Sequence, residues 1–203
     1  MTFFILMGII LIYSCNSTKL RPKELAISYD DIYLFQNGKE TLINNVMQEL
    51  EIKRDKFAIR FYNKRYDSDG KKFHSAKISA CLDKTDLDNI KIGMAESELP
   101  YFSPGTGMAS SQSGKYENLI FKKNAHHYLI YENSESKRLN LVDDLGEYLK
   151  LEFEVSNLFI NGEIEKMSET ELKEFYLVIL IDKNLNEVID KGELNKLLLK
   201  IKS

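Results

Sequence analysis

The sequence predicts an all-β, mainly antiparallel domain of β-sandwich-like architecture, with one or two short helices. The clearest observation is Tyr148–Val155, where Leu149, Leu151, Phe153 and Val155 alternate with Lys150, Glu152 and Glu154. This period of two is typical of a half-buried strand. A second observation is the number of short β-rich runs separated by turn residues. A third is the aromatic content of 11%, all Phe and Tyr, since these residues favour strands.

Turn residues divide the predicted strands. Asn37-Gly38 follows the β-rich run 32–35, and Asn161-Gly162 follows 158–160. Asn-Gly supplies the positive φ values of a two-residue hairpin turn. The run 57–62 alternates, which predicts a strand with Phe57, Ile59 and Phe61 on one face. Phe175–Ile181 is continuously apolar and predicts a fully buried strand.

In three segments the sequence pattern is compatible with a helix and also with a non-helical structure. Glu40–Ile52 spaces its apolar residues as a helix does, although a strand reading also fits. Ser168–Glu171 is compatible with a helix capping box or with a charged turn. Leu194–Ile201 is compatible with a helix or with a last strand.

The first fourteen residues differ from the rest of the chain. Met1–Ser14 has no charged side chain, and its apolar run Phe3–Ile12 is about ten residues long. A membrane-spanning helix needs roughly 20. The run is typical of the apolar core of a secretory signal peptide, although Lys and Arg are lacking before it. We therefore expect residues 1–14 to be a signal peptide.

The run ends in Ile12-Tyr13-Ser14-Cys15, which resembles a bacterial lipoprotein box. The resemblance implies cleavage before Cys15 and attachment of a diacylglyceryl group to its sulfur, often with a further acyl chain on the new amine. Two or more acyl chains anchor a protein stably to a membrane. The resemblance divides the chain into a lipidated Cys and tether at 15–26 and a domain at 27–203. The alternative is a buried N-terminal strand that happens to contain a Cys.

The lipoprotein resemblance also predicts a location. A lipidated Cys15 would hold the protein in the cell envelope, with the membrane as its first partner. No acidic residue follows Cys15 closely, which favours an outer-membrane protein that faces the periplasm. Cys81 is the one other cysteine, and we expect it to be a small core residue rather than a nucleophile.

The segment Asp182–Glu193, DKNLNEVIDKGE, carries oxygen ligands at the spacing of a calcium loop. Calcium takes six to eight oxygens, and a twelve-residue loop supplies them from positions 1, 3, 5, 7, 9 and 12. These positions are Asp182, Asn184, Asn186, the Val188 carbonyl, Asp190 and Glu193. The segment resembles an EF-hand loop, with Ile189 at the apolar position 8.

The EF-hand resemblance implies a calcium ion. The strand predicted before the loop, and the finding of one such loop where sensors normally have two, indicate a structural role rather than a paired sensor. Glu187 occupies position 6, where Gly normally allows a sharp turn, and this substitution lowers the expected affinity. With three acidic ligands we expect a dissociation constant of about 10⁻⁴ to 10⁻⁶ M. The alternative is a solvated hairpin loop without an ion.

The remaining candidates define the expected function and its alternative. Nucleic acid is excluded as a partner, since the net charge is −3 and no basic face is apparent. We expect a binding or scaffolding module for a protein or glycan partner. The alternative is an envelope hydrolase that uses His126 or His127 and the irregular loop Ser103–Gly114, although no nucleophile motif accompanies them.

Overall fold

A computed structural model describes residues 27–44, 46–65, 74–99, 107–109, 120–122, 136–160 and 163–202. The predicted lipobox, His126 and His127 lie outside the described residues. Of the loop Ser103–Gly114, only the backbone of Gly107–Ala109 is described, and it forms a short strand.

Two principal sheets build the domain. The first has five strands in the order β2-β1-β4-β10-β9, with bounds β1 Ile32–Gln36, β2 Lys39–Ile43, β4 Phe57–Lys64, β9 Asn140–Asp144 and β10 Tyr148–Val155. The second has four strands in the order β3-β14-β13-β5, with bounds β3 Met47–Lys53, β5 Ser75–Cys81, β13 Glu174–Asp182 and β14 Leu194–Lys202. All pairs are antiparallel except β3 with β14.

The remaining elements are short. A two-stranded sheet joins β11 (Asn157–Ile160) to β12 (Glu163–Lys166). A three-stranded sheet has the order β6-β7-β8, with bounds Gly107–Ala109, Ile120–Lys122 and Ser136–Arg138. Helix α1 spans Lys84–Asn89, and a 3₁₀ turn spans Glu96–Glu98. Asp83 caps α1 by accepting a hydrogen bond from the Thr85 N–H at 2.7 Å.

The main hydrophobic core lies between the two principal sheets. The five-stranded sheet contributes residues such as Ile59, Phe61 and Phe153, and the four-stranded sheet contributes residues such as Phe175 and Leu199. All five are essentially inaccessible to solvent. The alternation predicted for 148–155 is confirmed, because every second residue of β10 is buried. The all-β, sandwich-like fold class is likewise confirmed.

A second apolar cluster covers the outer face of the four-stranded sheet. Val178, Leu180 and Leu194 point away from the main core. They pack with residues of β5, of α1 and of the loops beside them, namely Cys81, Leu87, Ile90, Leu99 and Ile189. Strand β13 is therefore buried on both faces. This explains why its sequence is continuously apolar where that of β10 alternates.

The three ambiguous segments are all non-helical. Glu40–Ile52 is divided between β2 and β3, which belong to different sheets. Ser168–Glu171 begins in the turn after β12, and Leu194–Ile201 lies in β14. The hairpin at Asn37-Gly38 is confirmed, with φ values of 52° and 76°. Residues 161 and 162 lie outside the described residues, but Ile160 and Glu163 beside them are paired across β11 and β12.

Candidate calcium loop and the open sheet face

The segment Asp182–Glu193 connects β13 to β14 at one end of the four-stranded sheet. Asp182 is the last residue of β13, and Glu193 directly precedes β14. Leu180 and Leu194 pair across the two strands, so the loop closes a long hairpin. The strand predicted before the loop is confirmed, and the segment after it, which the sequence left open between helix and strand, is a strand.

The carboxylates at the two ends of the loop are buried and hydrogen-bonded to backbone amides. Asp182 is 1% exposed and accepts from the N–H groups of Leu185, at 2.6 Å, and Glu187, at 3.1 Å. Glu193 is 4% exposed and accepts from the N–H groups of Lys183, at 2.8 Å, and Asp190, at 2.9 Å. These four hydrogen bonds fix the path of the loop around two negative charges.

The two asparagines form a second layer inside the loop. The Asn184 Oδ1 accepts from the Asn186 N–H at 3.0 Å, and the Asn186 Oδ1 accepts from the Val188 N–H at 2.8 Å. Each Oδ1 thus closes an Asx turn. Both side-chain nitrogens donate to the Asp190 Oδ2, at 2.8 Å and 2.9 Å. Asp190 is therefore solvated by amide groups.

Two residues of the loop adopt left-handed backbone conformations. Leu185 has φ 61° and Glu187 has φ 60°. The latter is loop position 6, where the sequence predicted a sharp turn at a residue other than Gly. A left-handed conformation costs a residue with a Cβ atom roughly 1–2 kcal/mol. The hydrogen bonds that the two N–H groups donate to Asp182 offset this cost.

Residues 93–95, which are distant in sequence, pair with the loop. The Ile189 N–H donates to the Met94 carbonyl at 2.9 Å, and the Gly93 N–H donates to the Ile189 carbonyl at 2.8 Å. Ala95 forms a β-bridge with Val188, and Ile189 is fully buried. Sequence reasoning missed this pairing, because no local pattern marks residues 93–95 as a partner of residues 188 and 189.

The carboxylates of the loop form no ion pair with a Lys or Arg side chain of the described residues. Within the described ranges, no Lys or Arg pairs with Asp182, Asp190 or Glu193. Lys183 turns away and pairs with Asp30 at 2.7 Å. A buried carboxylate is costly unless hydrogen bonds or an opposite charge stabilise it. Here the hydrogen bonds are present, and the opposite charge is not supplied by the described part of the chain.

The oxygen atoms of the loop are of the chemical types that bind a hard cation, but their present arrangement does not form a cation site. Carboxylate, amide and carbonyl oxygens are the ligands that calcium prefers, and the Val188 carbonyl accepts no hydrogen bond within the described residues. However, the described residues contain no group of three His, Cys, Asp or Glu side chains that converge as a metal site would. Ion binding therefore requires the loop side chains to rearrange, above all the two amides that now donate to Asp190.

The outer face of the five-stranded sheet has a different character, and we call it the open face. Arg60 on β4 donates to Glu152 and Glu40, both at 2.8 Å, and Lys150 donates to Glu40 at 2.7 Å. The guanidinium carbon lies 3.3 Å from the centre of the Phe35 ring. These side chains pack on one another, and no element of the described part of the chain covers them.

The charge network changes the titration of Glu40. Burial disfavours its charged form, but the hydrogen bonds from Lys150 and Arg60 outweigh that cost and hold the pKa of Glu40 below its usual value. Beside the network lies a groove of about 370 Å³, whose lining includes Phe35, Lys56, Arg60, Glu152 and Glu154. The groove offers both charges and an aromatic edge to a partner.

Two further residues considered in the sequence, Cys81 and His74, lie among the described residues. Cys81 is 7% exposed in the second cluster, and burial raises the pKa of its thiol to about 12. The prediction that it is a core residue agrees with this environment. His74 is half-buried, and burial lowers the pKa of its imidazole. The predicted lipidation site Cys15 and the candidate histidines of a hydrolase are not described, so those predictions stay open.

Comparisons with known proteins add no relative. No family model matches the chain, and comparisons with curated proteins and with solved structures gave no match. In the part of the chain that is described, no helix has the length and apolar character needed to span a membrane.

Proposed function

We propose that the chain is a lipid-anchored cell-envelope protein, whose sandwich is a binding or scaffolding module and whose Asp182–Glu193 loop holds a structural calcium ion. The observation that carries the calcium proposal is the pair of buried carboxylates, Asp182 and Glu193, which form no ion pair with Lys or Arg among the described residues. They lie at the ends of two neighbouring strands of the four-stranded sheet. The lipid anchor rests on the box that ends at Cys15.

The residues that would hold the ion are those of the twelve-residue spacing, Asp182, Asn184, Asn186, the Val188 carbonyl, Asp190 and Glu193. A bound calcium ion supplies positive charge where the carboxylates now share only amide hydrogen bonds. Each asparagine would keep its Asx turn, since a carbonyl oxygen has two lone pairs. Its amide nitrogen would have to release Asp190.

The role that the fold gives to such an ion is to stabilise the junction of β13 and β14. These are the two inner strands of the four-stranded sheet. An ion present at about 100 times its dissociation constant stabilises the folded state by about 2.7 kcal/mol. For a chain of this size each kcal/mol raises the melting temperature by about 2–4 °C. The expected increase is therefore several degrees.

Thermal melts of the full chain in detergent, with excess EDTA or with millimolar calcium, test the ion. We expect calcium to raise the melting temperature by several degrees and Asp182→Ala to abolish the increase. Asp143→Ala is the matched control, because Asp143 is an exposed carboxylate of β9, in the other principal sheet. An equal melting temperature with EDTA and with calcium would show that the loop is only a polar turn.

The binding role is supported by the open face. Its groove beside Phe35 and Arg60 combines an aromatic ring with charges of both signs, which suits a polar partner such as a protein surface or a glycan. Side chains of the network are already ordered by their mutual hydrogen bonds. A partner that contacts them pays little additional ordering entropy.

A further inference from the structure

Strand β3 has a free edge. It is the last strand of the four-stranded sheet and pairs with β14 alone among the described strands. The Arg54 N–H, directly after β3, donates to the Lys202 carbonyl of β14 at 3.3 Å. Since consecutive residues of a strand direct their backbone groups to opposite sides, the even-numbered residues of β3 face β14. The N–H and carbonyl groups of Met47, Glu49 and Glu51 therefore face the free edge.

Two glutamine side chains occupy the ends of this edge. The Gln36 Oε1 accepts from the Lys53 N–H at 2.7 Å, and the Gln36 Nε2 donates to the Lys53 carbonyl at 3.0 Å. Gln48 ties β3 to the corner after β2, because its Oε1 accepts from the Asn44 N–H at 3.1 Å and its Nε2 donates to the Leu42 carbonyl at 3.4 Å. Between these two positions, no described group outside β14 is hydrogen-bonded to the backbone of β3.

A groove of about 370 Å³ lies between the two principal sheets, beside β2 and β3, and we call it the edge groove. Residues of β1 and β2 line it on one side, and residues of β3 and β14 line it on the other. Leu34 and Ile52, one from each sheet, belong to the main core and form the apolar part of the groove. Because the side chains of a strand alternate between the two faces of its sheet, a strand added to the free edge of β3 directs every second side chain toward this apolar part.

The charges around the edge groove favour an acidic partner. Lys39 and Lys53 line the groove, are exposed and form no ion pair among the described residues. Glu51 pairs with Lys202 at 2.6 Å, and Glu49 pairs with another lysine of β14 at 2.7 Å. The negative charges of the free edge are therefore balanced within the sheet. The two unpaired lysines leave an excess of positive charge, which is complementary to acidic side chains.

We propose that the free edge of β3 and the edge groove together bind an extended acidic peptide of a partner protein, which adds a fifth strand to the four-stranded sheet. Hydrogen bonds to the backbone of Glu49 and Glu51 supply affinity, and alternate apolar side chains of the peptide pack on Leu34 and Ile52. Acidic side chains of the peptide pair with the two unpaired lysines. Residues 15–26 of this chain are not complementary, since they include three basic side chains and one acidic side chain. The site is separate from the open face, and it rests on neither the proposed calcium ion nor the proposed lipid anchor.

Fluorescence anisotropy of a labelled heptapeptide, in which Val and Glu alternate, tests the docking on the full chain in detergent. We expect saturable binding, and several-fold weaker binding by Lys39→Glu and by Lys53→Glu. Lys191→Glu is the matched control, because it reverses an exposed charge in the loop before β14, at the end of that strand opposite Lys202. Equal affinity of the wild-type chain and the three variants, or no binding at millimolar peptide, overturns the proposal.

Two N-methylated forms of the peptide separate strand addition from attraction by charge alone. Methylation of alternate residues removes the N–H groups along one edge of an extended peptide and leaves those along the other edge. Only one edge of the peptide meets β3. We therefore expect methylation of one set, the valines or the glutamates, to abolish binding and methylation of the other set to be tolerated. Equal affinities of the two methylated peptides overturn strand addition.

Amide hydrogen exchange tests the site residue by residue. The peptide should slow exchange of the Glu49 and Glu51 N–H groups several-fold, whereas the Leu50 N–H, which faces β14, should not change. If the two glutamate amides exchange slowly without peptide at every protein concentration, a segment of this chain covers the edge. If they exchange slowly only at high protein concentration, a second copy covers it. Either result overturns the acidic-peptide proposal, and neither changes the proposal for the open face, which is tested at a different groove.

Discussion

The outer faces of the two sheets differ although both belong to one sandwich. The outer face of the four-stranded sheet is apolar and covered by α1, Ile189 and the residues around them. The open face of the five-stranded sheet carries Arg60, Lys150, Glu40 and Glu152 in a half-buried network. The sequence pattern of a strand therefore indicates whether its second face is covered. A strand covered on both faces is continuously apolar, and a strand with one open face alternates. This difference separates the part of the domain that provides stability from the part that is available to a partner.

The largest expected effect comes from the covered face. Leu180→Ala removes a fully buried side chain of the second cluster and should cost about 2–5 kcal/mol of unfolding free energy. Urea denaturation measures this value. Leu177→Ala, on the inward face of the same strand, should cost a similar amount, and Ile164→Ala, at a side chain that is 52% exposed, should cost almost nothing. If Leu180→Ala lowered the unfolding free energy as little as Ile164→Ala does, the outer face would not be a packed core, and the comparison of the two faces would be wrong.

An intermediate effect is expected from the charge network of the open face. Glu40→Gln should cost about 1–2 kcal/mol at neutral pH, since Lys150 and Arg60 lose a charged acceptor. Because the pKa of Glu40 is lowered in the folded state, its contribution is complete above the unfolded-state value, near 4.5, and is lost as the pH falls through the folded-state value.

Urea midpoints at successively lower pH test the sign of this effect. The stabilities of the wild-type chain and Glu40→Gln should converge in acid, below both pKa values. A difference that persists unchanged in acid would show that Glu40 contributes through packing rather than through its charge.

The smallest effect on stability is expected at the rim of the groove. Lys56 is 62% exposed and pairs with Glu154 at 3.0 Å, so Lys56→Glu should change the unfolding free energy very little. The same substitution reverses a charge in the proposed partner surface. Co-sedimentation of the full chain with insoluble envelope glycan should then fall several-fold relative to wild type, while Lys191→Glu, away from the groove, should not lower it. Equal retention of both variants would count against a glycan partner at this groove.

The covered and open faces also show what the sequence could predict. The alternation in β10 and the unbroken apolar run in β13 are local patterns, and each predicted the correct burial. Glu40–Ile52 was ambiguous because Ile43 and Ile52 reach the same core from two different sheets, with a break between them. The apolar residues of the two strands, taken together, then have the spacing that is typical of a helix. Helix α1 was not predicted, since its six residues contain a single buried side chain, Leu87.

The candidate loop could be located from its spacing but not described in detail. The position of Asp182 at a strand end follows from the apolar run before it, whereas the strand after Glu193 could not be told from a helix. The pairing of Ile189 with Met94 depends on a contact between segments almost one hundred residues apart, and no local pattern reports it. The Arg60–Glu152 pair is hidden for the same reason, because it depends on the register of β4 against β10.

The position of β14 sets the order in which this chain can fold. Strand β3 joins the four-stranded sheet only through its parallel pairing with β14, which is translated about 140 residues later. A chain that emerges N-terminus first must hold β3 unpaired until then, whereas β13 can already pair with β5, and such long-range closure is slow. Until β14 is made, the four-stranded sheet is incomplete, and the domain cannot close around its main core. This delay also leaves the edges of β3 exposed to aggregation and to chaperones until the final strand arrives.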